Sequence, residues 1–266
     1  MNYYHFSDLF DVMHYPAGES HVQMKRDTPL NSSLVIEANI RNFEDIGNLL
    51  TAEAILRRQG VLAEWFIPYM PFARHDRKNH KNDGLEIQIA AQMLGEVQPI
   101  IVDPHSDVTA GMFRHIPQSA VVRFLKEKGI IQNHYTFVIP DQGATKKAHT
   151  WLGEWNYVQG YKLRNPATGK LSGFSVASQG SGHLTDETLI IIDDICDGGG
   201  TFLGLVEKLR QEHPKSITLF TTHGLYTKGT GILSEFDRII SFGKSVPGIH
   251  RLSFEELFRF AHGEIV

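Results

Sequence analysis

Residues 189–202 read LIIIDDICDGGGTF, an apolar run followed at once by an acid pair, a further carboxylate, three consecutive glycines and a threonine. Large aliphatic residues from Leu189 to Ile192 suit a strand buried on both faces, so Asp193 and Asp194 emerge at its end on opposite sides. Gly198, Gly199 and Gly200 then make a turn that leads through Thr201 into a helix. Glycines let successive backbone N–H groups converge on an anion with no Cβ in the way, and a helix N-terminus adds the positive end of its dipole. Adjacent carboxylates accept hydrogen bonds from two neighbouring hydroxyls, which a phosphate-binding residue cannot do. A sugar diol joined to a phosphate satisfies both parts of the run, and that describes a ribose 5-phosphate moiety. Two other phosphate motifs fail on spacing. TGKLS at 168–172 has Arg164 where a P-loop needs its first glycine, and no G-x-G-x-x-G follows a strand.

The elements that must position this run repeat along the chain. LVIEA (34–38), EWFIPYM (64–70), PIIVDPH (99–105), TFVIPD (136–141), LIIIDD (189–194), ITLFTTH (217–223) and RIISF (238–242) read as strands. Runs that are apolar throughout suit a sheet covered by helices on both faces. Between them, 43–59, 85–96, 117–128 and 202–213 read as helices. In the first of these, Ile46, Leu49, Leu50, Ala54 and Leu56 form a core-facing stripe. Strand and helix alternate, so the fold class is α/β with mostly parallel sheets. Ligands of such sheets bind beyond the carboxyl ends of the strands. Asp103, His105, Asp141, Asp193, Asp194 and His223 therefore become candidates together. The pattern restarts near 116–120, which predicts a boundary there. The Gly- and Ser-rich stretch 153–187 reads as a hairpin or a mobile functional loop.

Composition excludes several classes of function. A 41% hydrophobic content over 266 residues can bury a sizeable core, and a formal net charge of -4 with scattered Lys and Arg favours neither nucleic acid nor a membrane surface. No apolar stretch approaches the ~20 residues of a membrane span. The start MNYYHFSDLFDVMHYP lacks the apolar centre of a signal peptide, and Cys196 is the single cysteine, so the expected compartment is the cytoplasm. Cys196 itself reads as a small residue packing the loop against its strand. Trp151 and Trp155 either pack the 153–187 stretch or stack on a base.

LIIIDDICDGGGT resembles the phosphoribosyl pyrophosphate (PRPP) loop of type I phosphoribosyltransferases, and IPYMPFARHDRK (67–78) resembles the signature IPYxxYARQDRK of ribose-phosphate diphosphokinase, PRPP synthetase. VDPHSDVTAGMF (102–113), IPDQGATKKA (139–148) and YPAGESHVQM (15–24) are similar to the family's DLHxxQIQGFF, SPDxGGxxRA and FSDGEVxV, in the same order. The resemblance runs from about Tyr15 to Phe260. It implies two phosphoribosyltransferase-like domains, expected at 1–117 for ATP and 118–252 for ribose phosphate, with 253–266 packing back on the first. The implied activity moves the β,γ-diphosphate of ATP to the anomeric hydroxyl of ribose 5-phosphate and releases AMP.

The resemblance also implies roles. Asp193, Asp194, Asp197, Gly198, Gly199, Gly200 and Thr201 would hold the ribose phosphate. Arg74, His75 and Asp76 would bind ATP with Glu19 of a neighbouring subunit, in a homo-oligomer of at least a dimer. His105 and Asp141 would hold Mg²⁺. Lys162, Arg164 and His105 would be catalytic, the first two on a loop that closes over the diphosphate, although the family's KRR is here KLR. Arginine suits phosphate by its planar donor fork.

Two departures matter. The family's D-x-x-D-T-A-G-T is here D-I-C-D-G-G-G-T, so Gly198 lacks a hydroxyl for the 5-phosphate and Gly199 lacks a methyl, which opens space for a bulkier acceptor such as ADP-ribose. The stretch before residue 15 also leaves no room for the family's first strand and helix. A phosphoribosyltransferase that consumes PRPP has no use for ARHDRK, and a non-catalytic regulator has no use for His105, Asp141, Lys162 and Arg164.

Overall fold

The computed structural model describes residues 2–25, 33–78, 80–164, 171–178, 184–229, 231, 234–243 and 246–264, with the backbone alone at 33, 162–164, 171–174, 177 and 178. The chain divides into two compact units, Met1–Pro117 and Gln118–Val266. Among the described residues, no helix is long and apolar enough to cross a membrane.

The first unit opens with β1 (Asn2–His5), α1 (Phe6–Leu9) and an antiparallel hairpin of β2 (Phe10–His14) and β3 (Ser20–Met24). It continues with β4 (Ser33–Glu37), α2 (Phe43–Arg58), β5 (Leu62–Ile67), α3 (Glu86–Met93), β6 (Ile100–Val102), α4 (Asp107–Ala110) and β7 (Arg114–Ile116). Its five-stranded sheet runs β1-β4-β5-β6-β7, parallel throughout. A first strand is therefore present after all. Asn2–His5 pair in register with Leu34–Glu37, and Tyr3 donates a 2.6 Å hydrogen bond to the largely buried Glu37. Four residues on a sheet edge carry too little alternation to stand out in the sequence. Helix α2 starts at Asn42, whose side chain accepts from the Asp45 N–H, and buries Ile46, Leu49, Ala52 and Leu56; Ala54, expected on that stripe, faces solvent.

The second unit holds α5 (Gln118–Glu127), β8 (Thr136–Ile139), α6 (Gln142–Ala148), β9 (Tyr157–Arg164), β10 (Leu171–Ser178) and β11 (Thr188–Cys196). There follow α7 (Gly200–Arg210), β12 (Ser216–Gly224), β13 (Arg238–Phe242), β14 (His250–Leu252) and α8 (Phe254–Ala261). The seven strands lie in the order β10-β9-β8-β11-β12-β13-β14, parallel except for the antiparallel β9–β10 pair, both strands of which fall within the 153–187 stretch. On one face, Leu189, Ile191, Ile217 and Leu219 pack under Leu205 and Leu209 of α7. Both sides of β11 and β12 are buried, as continuous apolar runs require.

The C-terminal segment corrects an expectation. Rather than returning to the first unit, α8 packs on α5 of the second. The reason is aromatic. Phe254 stacks on Phe242 of β13 with centroids 4.8 Å apart, while Phe124 meets the ring of Phe260 at 5.5 Å and that of Phe242 at 5.9 Å. Arg123 lies over the Phe260 ring and Lys128 pairs with Glu256 at 3.2 Å. Phe258, 1% exposed, anchors the contact. Replacing Phe258 by Ala should cost about 3 kcal/mol of stability, read as a lower urea midpoint at unchanged slope. A midpoint equal to that of the wild type would show that α8 does not dock.

Candidate active site

Strands β8 and β11 are neighbours in the sheet and pair through Leu189–Ile191 against Thr136–Val138, so their carboxyl ends open side by side. Asp141 follows β8 and caps α6, its carboxylate accepting from the Ala144 N–H at 3.0 Å. Asp193 and Asp194 lie within β11, which runs on to Cys196 rather than ending at Ile192 as expected: pairing with β8 stops at Ile191, but Asp193 still pairs with Thr221 of β12. Asp194 is 6% exposed and its N–H donates to Asp193 Oδ1 at 2.9 Å. Burial pushes the Asp193 carboxyl well above the usual carboxylate range, and the charges of Asp194 and Asp141 push it further. Lys147 of α6 brings its Nζ to 3.7 Å from Asp194 Oδ2. Three expected carboxylates are thus brought together with a lysine that the sequence did not flag.

The glycine turn has the backbone that anion binding needs. Gly199 sits at φ 73°, a left-handed conformation suited to glycine, and provides the N-cap of α7 without a capping side chain. Gly200 is exposed, and a Cβ there would meet nothing within 4 Å. Gly198, expected to lack only a hydroxyl, has a neighbour that the sequence did not flag. A Cβ there would lie 3.3 Å from both Cδ and Cε of Lys228, so a lysine stem fills the space beside this glycine.

Residues 225–228 reach the turn because the connection after β12 is fastened to it. The N–H groups of Leu225 and Tyr226 both donate to Cys196 O, the Thr227 N–H donates to Asp197 O, and the Thr227 hydroxyl donates to Asp197 Oδ1 at 2.5 Å. Tyr226, 7% exposed, wedges against Gly224, where an added Cβ would lie 2.6 Å from Ser241 Oγ. Cys196 is fully buried, and burial, with the charges of Asp193 and Asp197, pushes its thiol up to about 12. It is a packing residue. His223 is buried against the Phe254 ring, and Trp155, half-buried, stacks on Phe137 at 4.5 Å. Trp151 donates from Nε1 to Gln118 Oε1 at 2.9 Å.

In the first unit the ARHDRK loop and the residues after β6 lie at strand ends. Arg74 and His75 are exposed, with His75 Nδ1 3.6 Å from Glu86 Oε2. Asp76 is turned inward at 7% exposure. Burial would raise its carboxyl, but hydrogen bonds from Arg77 and Ser106 outweigh this and hold it below the usual range. Glu19 lies at the exposed tip of the β2–β3 hairpin, closed by Tyr15 N–H to Glu19 O at 2.8 Å. His105 is exposed just past Asp103, which is 1% exposed with φ 41°. His105 and Asp141 belong to different units, and among the described residues no three His, Cys, Asp or Glu gather as a metal centre. The side chains of Lys162 and Arg164 lie outside the described residues, though both positions fall on β9.

No family model matches the chain. It is 25% identical over 223 residues to a ribose-phosphate pyrophosphokinase of Corynebacterium efficiens, covering 79% of this chain and 67% of that protein. It is 30% identical over 196 residues to the protein of that name from Ureaplasma parvum, covering 67% of this chain and 56% of that one. The chain thus spans roughly two thirds or less of the length of these relatives. The crystal structure of phosphoribosylpyrophosphate synthetase from Mycobacterium smegmatis superposes with a TM-score of 0.71 at 19% identity, over 98% of this chain and 99% of that one.

The raised Asp193 carboxyl has a consequence for stability. The folded protein holds this proton more tightly than the unfolded chain, so stability falls as pH rises from about 4 through the raised value and recovers as pH falls. Asp193→Asn should therefore melt a few degrees above the wild type at about pH 8, the gap closing toward about pH 5. Parallel melting curves at every pH would refute the assignment. With its acids, its glycine turn and two α/β units, the chain is similar in sequence to ribose-phosphate pyrophosphokinases and in fold to a phosphoribosylpyrophosphate synthetase.

Proposed function

We propose that the protein is an ATP-dependent diphosphokinase that transfers the β,γ-diphosphate of ATP to the anomeric hydroxyl of a ribose 5-phosphate moiety. The observation that carries this reading is the acid pair Asp193–Asp194, half-buried and buried respectively, separated by three residues from a glycine turn whose backbone is shaped for an anion. The relatives named for this reaction support it. In the second unit, Asp193 and Asp194 accept from the ribose diol, and the amides around Gly198, Gly199, Gly200 and Thr201 take the 5-phosphate, with Asp197 held by Thr227. In the first unit, Arg74 and His75 take the ATP phosphates, Asp76 holds Arg77 in the same loop, and Glu19 serves a neighbouring subunit of a homo-oligomer.

The anomeric oxygen attacks the β-phosphorus of ATP. A new P–O bond forms, the bond to the α,β-bridging oxygen breaks, AMP leaves with the electron pair, and the hydroxyl proton passes to solvent. Lys162 and Arg164 offset the charge of the moving diphosphate, since transfer of this kind is mostly positioning and charge stabilisation. Asp141, a carboxylate at the end of β8, suits Mg²⁺, a cation that takes one or two carboxylates and completes its shell with substrate oxygens and water. Asp141 would hold it, His105 serving the ATP side, and bound Mg²⁺ supplies positive charge to the phosphates.

A second acceptor deserves the same assay, because Gly200 faces open space where a group on the 5-phosphate could extend. That acceptor is ADP-ribose, which would give its 1-diphosphate. Incubation with ATP, Mg²⁺ and either acceptor, followed by ³¹P NMR and detection of AMP, separates the two. Turnover of ribose 5-phosphate alone would remove the ADP-ribose reading, and no AMP with either would remove the diphosphokinase reading. Lys162→Ala should lower kcat about a hundredfold or more while changing acceptor KM only a few-fold, as for loss of a group acting in the transition state. An unchanged kcat would take Lys162 out of catalysis.

A further inference from the structure

The run that forms the acceptor site is electrostatically awkward for the ligand assigned to it. Residues 189–202 hold Asp193, Asp194 and Asp197 but neither Lys nor Arg, so a phosphate on the turn would sit among carboxylates. Charge of the opposite sign must come from elsewhere in the fold. Lys147 is directed to Asp194, at 3.7 Å. Lys228 is placed differently. Its Cγ, Cδ and Cε lie 3.6, 3.3 and 3.3 Å from where a Cβ of Gly198 would stand, so its stem runs along the glycine turn itself.

That placement is built rather than incidental. Three backbone hydrogen bonds and the Thr227 hydroxyl fasten residues 225–227 to Cys196 and Asp197, immediately before Gly198. Tyr226 adopts φ 46°, a conformation costly for an aromatic residue, and is buried against Gly224. Lys228 itself is exposed, and among the described residues no ion pair engages its ammonium. A lysine of this kind snorkels, packing its methylenes on the turn while its charged head stays in water.

We propose that Lys228 is a specificity-determining residue of the acceptor site, whose ammonium takes the phosphate charge on the acceptor's 5-carbon where the glycine turn offers no side-chain donor. This rests on the acceptor being a ribose 5-phosphate moiety, free or further substituted. A side chain at Gly198 and the Lys228 stem compete for one space, so a residue larger than glycine there would displace the lysine. Glycine at 198 is then the condition for a cation at this end of the site. Ribose without a phosphate gains nothing from the ammonium, so the residue discriminates by charge.

Lys228→Met keeps the stem and removes the charge. Calorimetric titration with ribose 5-phosphate and with ADP-ribose reads binding directly, and steady-state assays with ATP read turnover. For the acceptor that the wild type uses, the variant should raise Kd and KM about tenfold to a hundredfold, with kcat and the KM for ATP within about twofold, as for loss of one charged hydrogen bond. Lys228→Arg should recover most of the affinity, and the difference between wild type and Met variant should shrink as ionic strength rises. Kd and KM of the Met variant within about twofold of wild type at low salt would overturn the proposal. Should the wild type bind the acceptors without forming AMP, the diphosphokinase reading fails while the Kd comparison still decides Lys228. Should it bind neither, both fail.

Discussion

The constraint on which the second unit depends is the packing of like charges at the end of β11. Asp193 and Asp194 are adjacent, Asp194 is almost fully buried, and Asp141 closes the group from the neighbouring strand. Hydrophobic folding alone would not assemble three carboxylates, since each raises the free energy of ionising the next. The surrounding structure offsets only part of this. The Asp194 N–H donates to Asp193, the Ala144 N–H donates to Asp141, and Lys147 stands near Asp194. What is left stays as a local cost in stability, of the kind that functional sites carry.

The sheet makes that concentration possible. β11 and β12 are nine-residue strands with their aliphatic side chains buried on both faces, and parallel neighbours carry all their carboxyl ends to one edge. At about 1.5–3 kcal/mol for each buried aliphatic side chain, the residues Leu189, Ile190, Ile191 and Ile192 alone outweigh the unfavourable placement of one raised carboxyl. The glycine turn then requires a second support, because glycines supply no packing of their own. The 225–228 connection provides it through main-chain hydrogen bonds to Cys196 and Asp197. The glycine turn is therefore held in place by a segment distant in sequence.

How much of this was legible follows from the same physics. All seven apolar runs read as strands are strands, and the four long amphipathic segments are helices, because burial on two faces or on one stripe leaves a strong pattern. β1, β7 and β14 did not register, being three or four residues on or near sheet edges. Helix α8 was misplaced for a different reason: Leu257 and Phe258 announce an apolar face, but nothing in the order of residues says that α5 and β13 present the rings it meets. In the site, the acids and glycines were readable because they are contiguous. Lys147 and Lys228 were not, since the first is one of two neighbouring lysines and the second lies thirty residues beyond the turn, where only the fold brings it back.

The first unit solves a related problem with strain instead of charge. Phe72, at the start of the ARHDRK loop, has φ 68°, and Asp103, just before His105, has φ 41°. For an aromatic residue such a conformation costs about 1–3 kcal/mol and persists only where its surroundings over-determine it. Phe72 is held by stacking on Phe43 at 4.6 Å with its carbonyl accepting from His75 N–H, and Asp103 by its N–H to Ile116 O across to β7. Both bends turn the chain sharply off the end of a parallel strand, so Arg74, His75 and His105 stand exposed while Asp76 and Asp103 remain buried beneath them. A relaxed turn at either point would continue the strand direction and lose that division. The bends thus hold polar groups at the same kind of sheet edge that the acid pair occupies in the second unit.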